Sequence, residues 1–223
     1  MCGRFAIDIP KPVFQKRFGI QQLEIQLDPY YNVSPGMFLP TIIRSSTNTA
    51  VLMKWGLIPY WSREYKVKFS NINARAETVT ISPAYRMPFQ KQRCLIPATG
   101  FYEWAQLSDG MKQSYFFQLK EKLTFAFAGI WDIWKDIEGK ESATCAIITC
   151  QANAVVGTIH PRMPVILSQT DEDTWLNPGQ DISVLQTLLK PYDGNSMEGY
   201  RVSTRLNNPH ADDISLIDQY DSI

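Results

Sequence analysis

Short β-rich runs recur along this 223-residue chain, each bounded by turn residues. Cys2 to Ile7, Leu39 to Arg44, Val51 to Trp55, Arg93 to Pro97 and Gly100 to Trp104 read as strands in the first half. Tyr115 to Leu119, Leu123 to Trp131, Ala143 to Thr149, Val165 to Leu167 and Tyr200 to Ser203 follow in the second. Asp109-Gly110 and Glu138-Gly139 supply turns between them. The helical patterns are few and short. Val13 to Phe18 ends at Gly19, and Ser82 caps a helix to about Lys91. Asn153 to Thr158, Asp171 to Trp175 and Asp181 to Lys190, stopped by Pro191, complete the set. The pattern predicts one α+β domain over residues 1–223, on an antiparallel, partly closed, barrel-like sheet with short peripheral helices. Its core is expected in 1–210, with 211–223 an acidic tail, the chain being polar and irregular from Asn207 on.

A chain of this length buries a substantial core. Six Trp, ten Tyr and eleven Phe supply large aromatic side chains for it. No segment approaches the ~18 uninterrupted apolar residues of a membrane span, and the N-terminus lacks a signal-peptide pattern. Cys2, Cys94, Cys145 and Cys150 form no CxxC pair and no zinc spacing, so no metal or other cofactor is expected. They suit a reducing cytoplasm. Net charge is zero, which argues against a generic basic nucleic-acid binder. Its distribution is uneven: residues 1–112 hold 14 Lys/Arg against 7 Asp/Glu, residues 113–223 hold 8 against 15. Such asymmetry marks a basic face for a polyanion unless the fold mixes it away.

The opening Met1-Cys2-Gly3-Arg4 carries specific chemistry. Cys is small enough for a preceding Met to be removed. Cys2 then bears an α-amine and a thiol on adjacent carbons, titrating near ~8 and ~8.5. Such a 1,2-aminothiol forms a Schiff base with an aldehyde and closes it to a five-membered thiazolidine. The plainer reading is a small residue beginning a strand.

Other stretches invite paired readings. Asp28 to Gly36, with Pro29, Asn32 and Pro35, reads as a rigid loop. The aromatics Trp55, Tyr60 and Trp61 fill a core or, beside Arg63 to Lys68, form a stacking platform for unpaired bases. Asn71 to Thr78 is too polar for a core and too patterned for a linker. Glu103 lies inside a run of aromatics and either faces solvent by alternation or is buried for a purpose; if buried, its pKa rises, which suits proton transfer. His160, one of two histidines, precedes a stiff Pro161-Arg162-Met163-Pro164 loop.

Taken together, these stretches make the chain resemble the SOS response-associated peptidase family. The resemblance rests on Met1-Cys2-Gly3-Arg4-Phe5, Tyr31-Asn32-Val33-Ser34-Pro35-Gly36, Trp55-Gly56-Leu57-Ile58-Pro59 and Asn73-Ala74-Arg75-Ala76-Glu77-Thr78. It continues through Arg93 to Pro97, Phe101-Tyr102-Glu103-Trp104, Phe127 to Trp131 and His160 to Pro164, ending near residue 210. Pro161 stands where members usually have Asp, and Ser34 where they usually have Ala.

The resemblance implies a DNA repair protein that binds single-stranded DNA and forms a thiazolidine with the ring-opened aldehyde of an abasic site. On this reading Cys2, Asn73, Glu103 and His160 are catalytic. His160 delivers a proton to the sugar ring oxygen, Glu103 takes one from the Cys2 amine, and Asn73 holds the sugar oxygen. Arg4, Arg75 and Arg162 clamp phosphates, Pro35 and Trp61 wedge or stack against bases, and Asn32 belongs to the DNA-binding set. A monomer is expected, without membrane contact, cytoplasmic, bacterial or phage-encoded, and associated with the nucleoid in use. Two other classes compete. One is a cysteine peptidase acting mainly on its own N-terminus, with Cys2 as nucleophile, His160 as base and Glu103 as orienter. The other is a non-catalytic reader of single-stranded DNA.

Overall fold

The computed structural model describes residues 2–63, 71–108 and 110–220. Lys66 and Lys68 of the basic stretch, and Asp109 of the expected turn, lie outside the described residues. The strands are β1 (Phe5–Ile7), β2 (Tyr30–Val33), β3 (Phe38–Arg44), β4 (Asn48–Trp55), β5 (Asn73–Arg75), β6 (Arg93–Ala98) and β7 (Gly100–Gln106). They continue as β8 (Lys112–Leu119), β9 (Phe125–Lys135), β10 (Glu141–Gln151), β11 (Arg162–Pro164), β12 (Ile166–Leu167) and β13 (Met197–Arg201). The helices are α1 (Lys11–Phe18), α2 (Arg86–Lys91), α3 (Gln169–Leu176) and α4 (Ile182–Thr187), with 3-10 turns including Val156–Thr158, Thr204–Asn207 and Ile214–Ile217.

Two sheets form. One runs β13-β8-β7-β1-β2; the other runs β11-β10-β4-β3-β6-β9-β12 and closes on itself because β10 also pairs with β9. The fold is thus the expected α+β domain on a partly closed barrel. Most ladders are antiparallel, while β4 and β5 run parallel to β10. This α+β architecture gathers its apolar side chains into one main core and a smaller cluster of Ala6, Tyr102, Phe116, Val202 and Leu206. Phe5 enters the main core edge-on against Trp55 and Phe127, at 5.1 and 5.5 Å between ring centres. Burying such a ring stabilises by about 2–3 kcal/mol, which anchors the N-terminal strand. Gly100 opposes Ala6 across the β1–β7 ladder and makes room for the Phe116 ring from β8, which a Cβ at Gly100 would meet at 2.0 Å.

Local chemistry explains most boundaries. Gly19 ends α1 in the left-handed conformation, at φ +64°. Ser168 caps α3 by accepting from the Asp171 amide. Arg93 is buried without a carboxylate, yet donates to the carbonyls of Phe89, Gln90, Trp175 and Asn177. It therefore satisfies the C-terminal ends of α2 and α3 together.

Four boundaries differ from expectation. Residues 30–33 form β2 rather than a loop, since Val33 pairs with Phe5 and Asp212 accepts the amides of Tyr31 and Asn32. Helix α2 starts at Arg86 rather than Ser82, which puts Pro88 in the first turn, where its missing N–H costs nothing. Residues 162–164 form β11 along β10 instead of a loop. The tail after Asn207 is docked: Tyr220 donates to the Arg201 carbonyl and Leu216 is buried.

Candidate active site

Register carries Cys2 into the interior. Phe5 opposes Phe101, and the Tyr102 amide donates to the Arg4 carbonyl at 3.0 Å, so the chain before Arg4 runs beside Glu103. Cys2 is fully buried. From β5, the Asn73 amide Nδ2 donates to the Cys2 carbonyl oxygen at 2.8 Å. Asn73 Oδ1 is buried with no hydrogen-bond partner among the described residues. The amide thus grips the Cys2 backbone and leaves one buried acceptor.

Glu103 projects from β7 at 2% exposure. Burial raises its pKa to about 7, against the lowering pull of the positive amino terminus. Both of its protonation states are therefore populated near neutral pH. Burial and the Glu103 carboxylate together push the Cys2 thiol well above its usual range. That thiol cannot act as a preformed thiolate; it needs a base at the moment of reaction.

His160 follows the 3-10 turn at Val156–Thr158, which Asn153 starts by accepting the Val155 and Val156 amides. Its Nδ1 lies 3.9 Å from Glu103 Oε1, too far for a hydrogen bond, and 3.0 Å from the Arg162 amide nitrogen. Burial lowers its pKa. Nδ1 lies equally close, 3.0 Å, to the Arg162 carbonyl oxygen, so it accepts from the amide or donates to the carbonyl according to the tautomer.

Around this centre the arginines are held differently. Arg4 Nη1 donates to Asn32 Oδ1 at 2.6 Å and to the Leu206 carbonyl at 3.2 Å. Asn32 is buried, its amide turned inward to Leu206, Asn208 and Ala211. It orients Arg4 rather than facing outward. Arg75 is exposed at the end of β5. Arg162 is gripped on two sides: Glu77 accepts from Nη1 at 2.5 Å and from Nη2 at 2.9 Å, and the Thr149 carbonyl accepts at 2.6 Å. Pro35 is half-exposed in the turn after β2, and Trp61 is 57% exposed. Tyr60 to Ser62 is stapled to β9, through the Tyr60 amide on Asp132 and Trp134 Nε1 on the Ser62 carbonyl. Trp55, by contrast, belongs to the core.

The structure thus brings residues 2, 73, 103 and 160 together, with Arg162 beside His160 and Arg4 two residues from Cys2. A model of the family described as SOS response associated peptidase (SRAP) matches residues 1–209. The chain belongs to this family. Among its relatives, the abasic site processing protein YoqW of Bacillus subtilis (strain 168) is 41% identical over 224 residues, covering 99% of this chain and all of that one. Mouse HMCES, also named an abasic site processing protein, is 28% identical over 258 residues, 93% of this chain and 73% of its own. A crystal structure of a protein from Bacteroides thetaiotaomicron superposes with a TM-score of 0.90 at 31% identity, over 98% of this chain and all of that one.

Two residues with clear structural roles at the site escaped the sequence reading. Glu77 sits four positions after Asn73 inside a quoted motif, and that spacing was its signal. Asp212 gave no signal, because one acid among several in an acidic tail looks like any other.

Proposed function

We propose that the protein binds single-stranded DNA at abasic sites and joins it covalently through Cys2 once Met1 has been removed. The observation that carries the reading is the convergence of Cys2, Asn73, Glu103 and His160 from separate elements on one buried point. The names of YoqW and HMCES support it.

Chemically, the steps divide among these groups. An abasic sugar is mostly a closed hemiacetal, and His160 gives a proton to the ring oxygen as the aldehyde opens. Glu103 takes a proton from the Cys2 ammonium. The free amine adds to the aldehyde carbon, and water leaves to give the imine. The thiol then adds across that bond, sulfur to carbon and its proton to nitrogen, closing the thiazolidine. Asn73 holds the Cys2 carbonyl throughout, and its Oδ1 accepts from a sugar hydroxyl. Arg4, Arg75 and Arg162 meet phosphates, and Pro35 and Trp61 meet bases beside the lesion.

Removal of Met1 by the Cys2 thiol is the second reading. The observation behind it is the Glu103 carboxylate, whose pKa is raised to about 7 and which lies close enough to Cys2 to act on its thiol.

The test uses purified protein whose intact mass shows Met1 absent, incubated with a single-stranded abasic oligonucleotide. A heat-stable shift on a denaturing gel is expected. It disappears in Cys2→Ser, which leaves only a borohydride-trappable Schiff base. A normal heat-stable adduct from Cys2→Ser, or no adduct from the Met1-free wild type, defeats the proposal.

A further inference from the structure

The family match ends at residue 209, but the chain's contacts with the site do not. Asp212 Oδ1 accepts the backbone amides of Tyr31 at 2.6 Å and Asn32 at 3.0 Å. Just before it, the carbonyls of Leu206, Asn208 and Ala211 share the Asn32 side-chain amide at 3.3, 3.1 and 2.7 Å. Asn32 is 3% exposed, so these bonds replace water it cannot reach. Its other end, Oδ1, grips Arg4 Nη1 at 2.6 Å, and the Leu206 carbonyl takes the same nitrogen. Buried Leu206 and Leu216 hold this segment down on either side of Asp212.

We infer that the segment from Leu206 to Asp212 is a strap that positions Arg4 for the DNA backbone, with Asp212 as the positioning residue that anchors it. The inference rests on the reading that Arg4 meets phosphate. The logic is geometric. The Arg4 side-chain hydrogen bonds among the described residues pass through Nη1. The opposite edge, Nε and Nη2, is the edge that takes an oxyanion with two parallel bonds. A guanidinium held on one edge by a buried amide presents the other edge in a set direction. Without the strap Asn32 has no partners for Nδ2, and the arginine on its other end loses its bearing. Arg4 is two residues from Cys2, so its direction also sets where a bound strand crosses the nucleophile.

Asp212→Ala, Asp212→Asn and Arg205→Ala test this. Asparagine keeps an Oδ1 acceptor and loses the same charge as alanine, so it separates the anchor from electrostatics. Arg205→Ala breaks the strap's surface pair with Asp213 without touching Asn32, and controls for loosening. Three quantities are read: affinity for an unmodified single-stranded oligonucleotide across a salt series, melting temperature, and thiazolidine formation with formaldehyde. Asp212→Ala is expected to weaken binding roughly three- to tenfold and to flatten the salt slope by about 0.7, one phosphate contact. Its reaction with formaldehyde stays at the wild-type rate, and Asp212→Asn binds as wild type does. Wild-type affinity and slope in Asp212→Ala overturn the strap, as does equal loss of the DNA and formaldehyde reactions, or equal weakening in Arg205→Ala. A wild-type protein that binds DNA but forms no adduct defeats the crosslinking reading instead; the binding arm then still decides the strap.

Discussion

The Asn73 side chain donates to the carbonyl oxygen of Cys2 across 2.8 Å, so the residue expected to hold a sugar oxygen also holds the backbone of Cys2. The bond joins a barrel strand to the start of the chain. It explains how a residue near the chain's start, where order is usually poor, keeps a defined place. Oδ1 is left without a hydrogen-bond partner among the described residues. On the proposed reading it accepts from a sugar hydroxyl.

The proton roles proposed for His160 and Glu103 lead to separable outcomes. His160→Ala is expected to slow crosslinking to a closed abasic sugar, yet to react almost normally with a simple aldehyde that needs no ring opening. Glu103→Ala slows both, because amine activation precedes either. Loss of one acid or base costs about 10²–10⁴-fold, well within reach of single-turnover kinetics. Equal slowing of both variants on both substrates would reduce the pair to a structural role.

Glu103 also predicts a stability profile. Its folded pKa of about 7 stands above the ordinary 4.5. Between those values the folded chain keeps a proton that the unfolded chain releases, so stability falls as pH rises through the window. Glu103→Gln removes this cost and should gain on wild type by up to about 3 kcal/mol at pH 8 relative to pH 5. Urea unfolding at the two pH values measures the difference; an unchanged gap between variant and wild type rejects the buried, late-titrating carboxylate.

Glu77 occupies the Arg162 fork that a phosphate is proposed to use. Glu77→Gln should therefore tighten single-stranded DNA binding a few-fold, as befits a partly exposed pair of about 0.2–1 kcal/mol. In an Arg162→Ala background the gain should vanish. Equal tightening in both backgrounds would assign it to the lost charge alone.

The strands and the candidate site were legible in the sequence for different reasons. β-Rich runs between turn residues located most of the barrel, and Gly19 marked the end of α1, because both signals are local. Glu103 stood out as an acid among aromatics, and its burial follows from the pleat. The missed features are non-local. β2 depends on an acid 180 positions downstream, and the parallel pairing of β5 with β10 leaves no trace in either segment. The Glu77–Arg162 pair spans 85 positions. Pro88 could have shortened α2 on paper, since it cannot bond four residues back.

One strand carries most of this arrangement. β10 is bonded to β4, β5, β9 and β11, and Asn73 and Arg162 hang from two of those ladders. The consequence is a division of time scales. Amides beneath Cys2 can exchange with solvent only when the barrel itself opens, at the full cost of unfolding. His160 lies outside the ladders, between Gln151 and Arg162, on a short arc held by its own 3-10 turn and by the Arg162 amide. Exchange beneath Cys2 therefore reports on the whole barrel, and exchange along the arc reports on the arc alone.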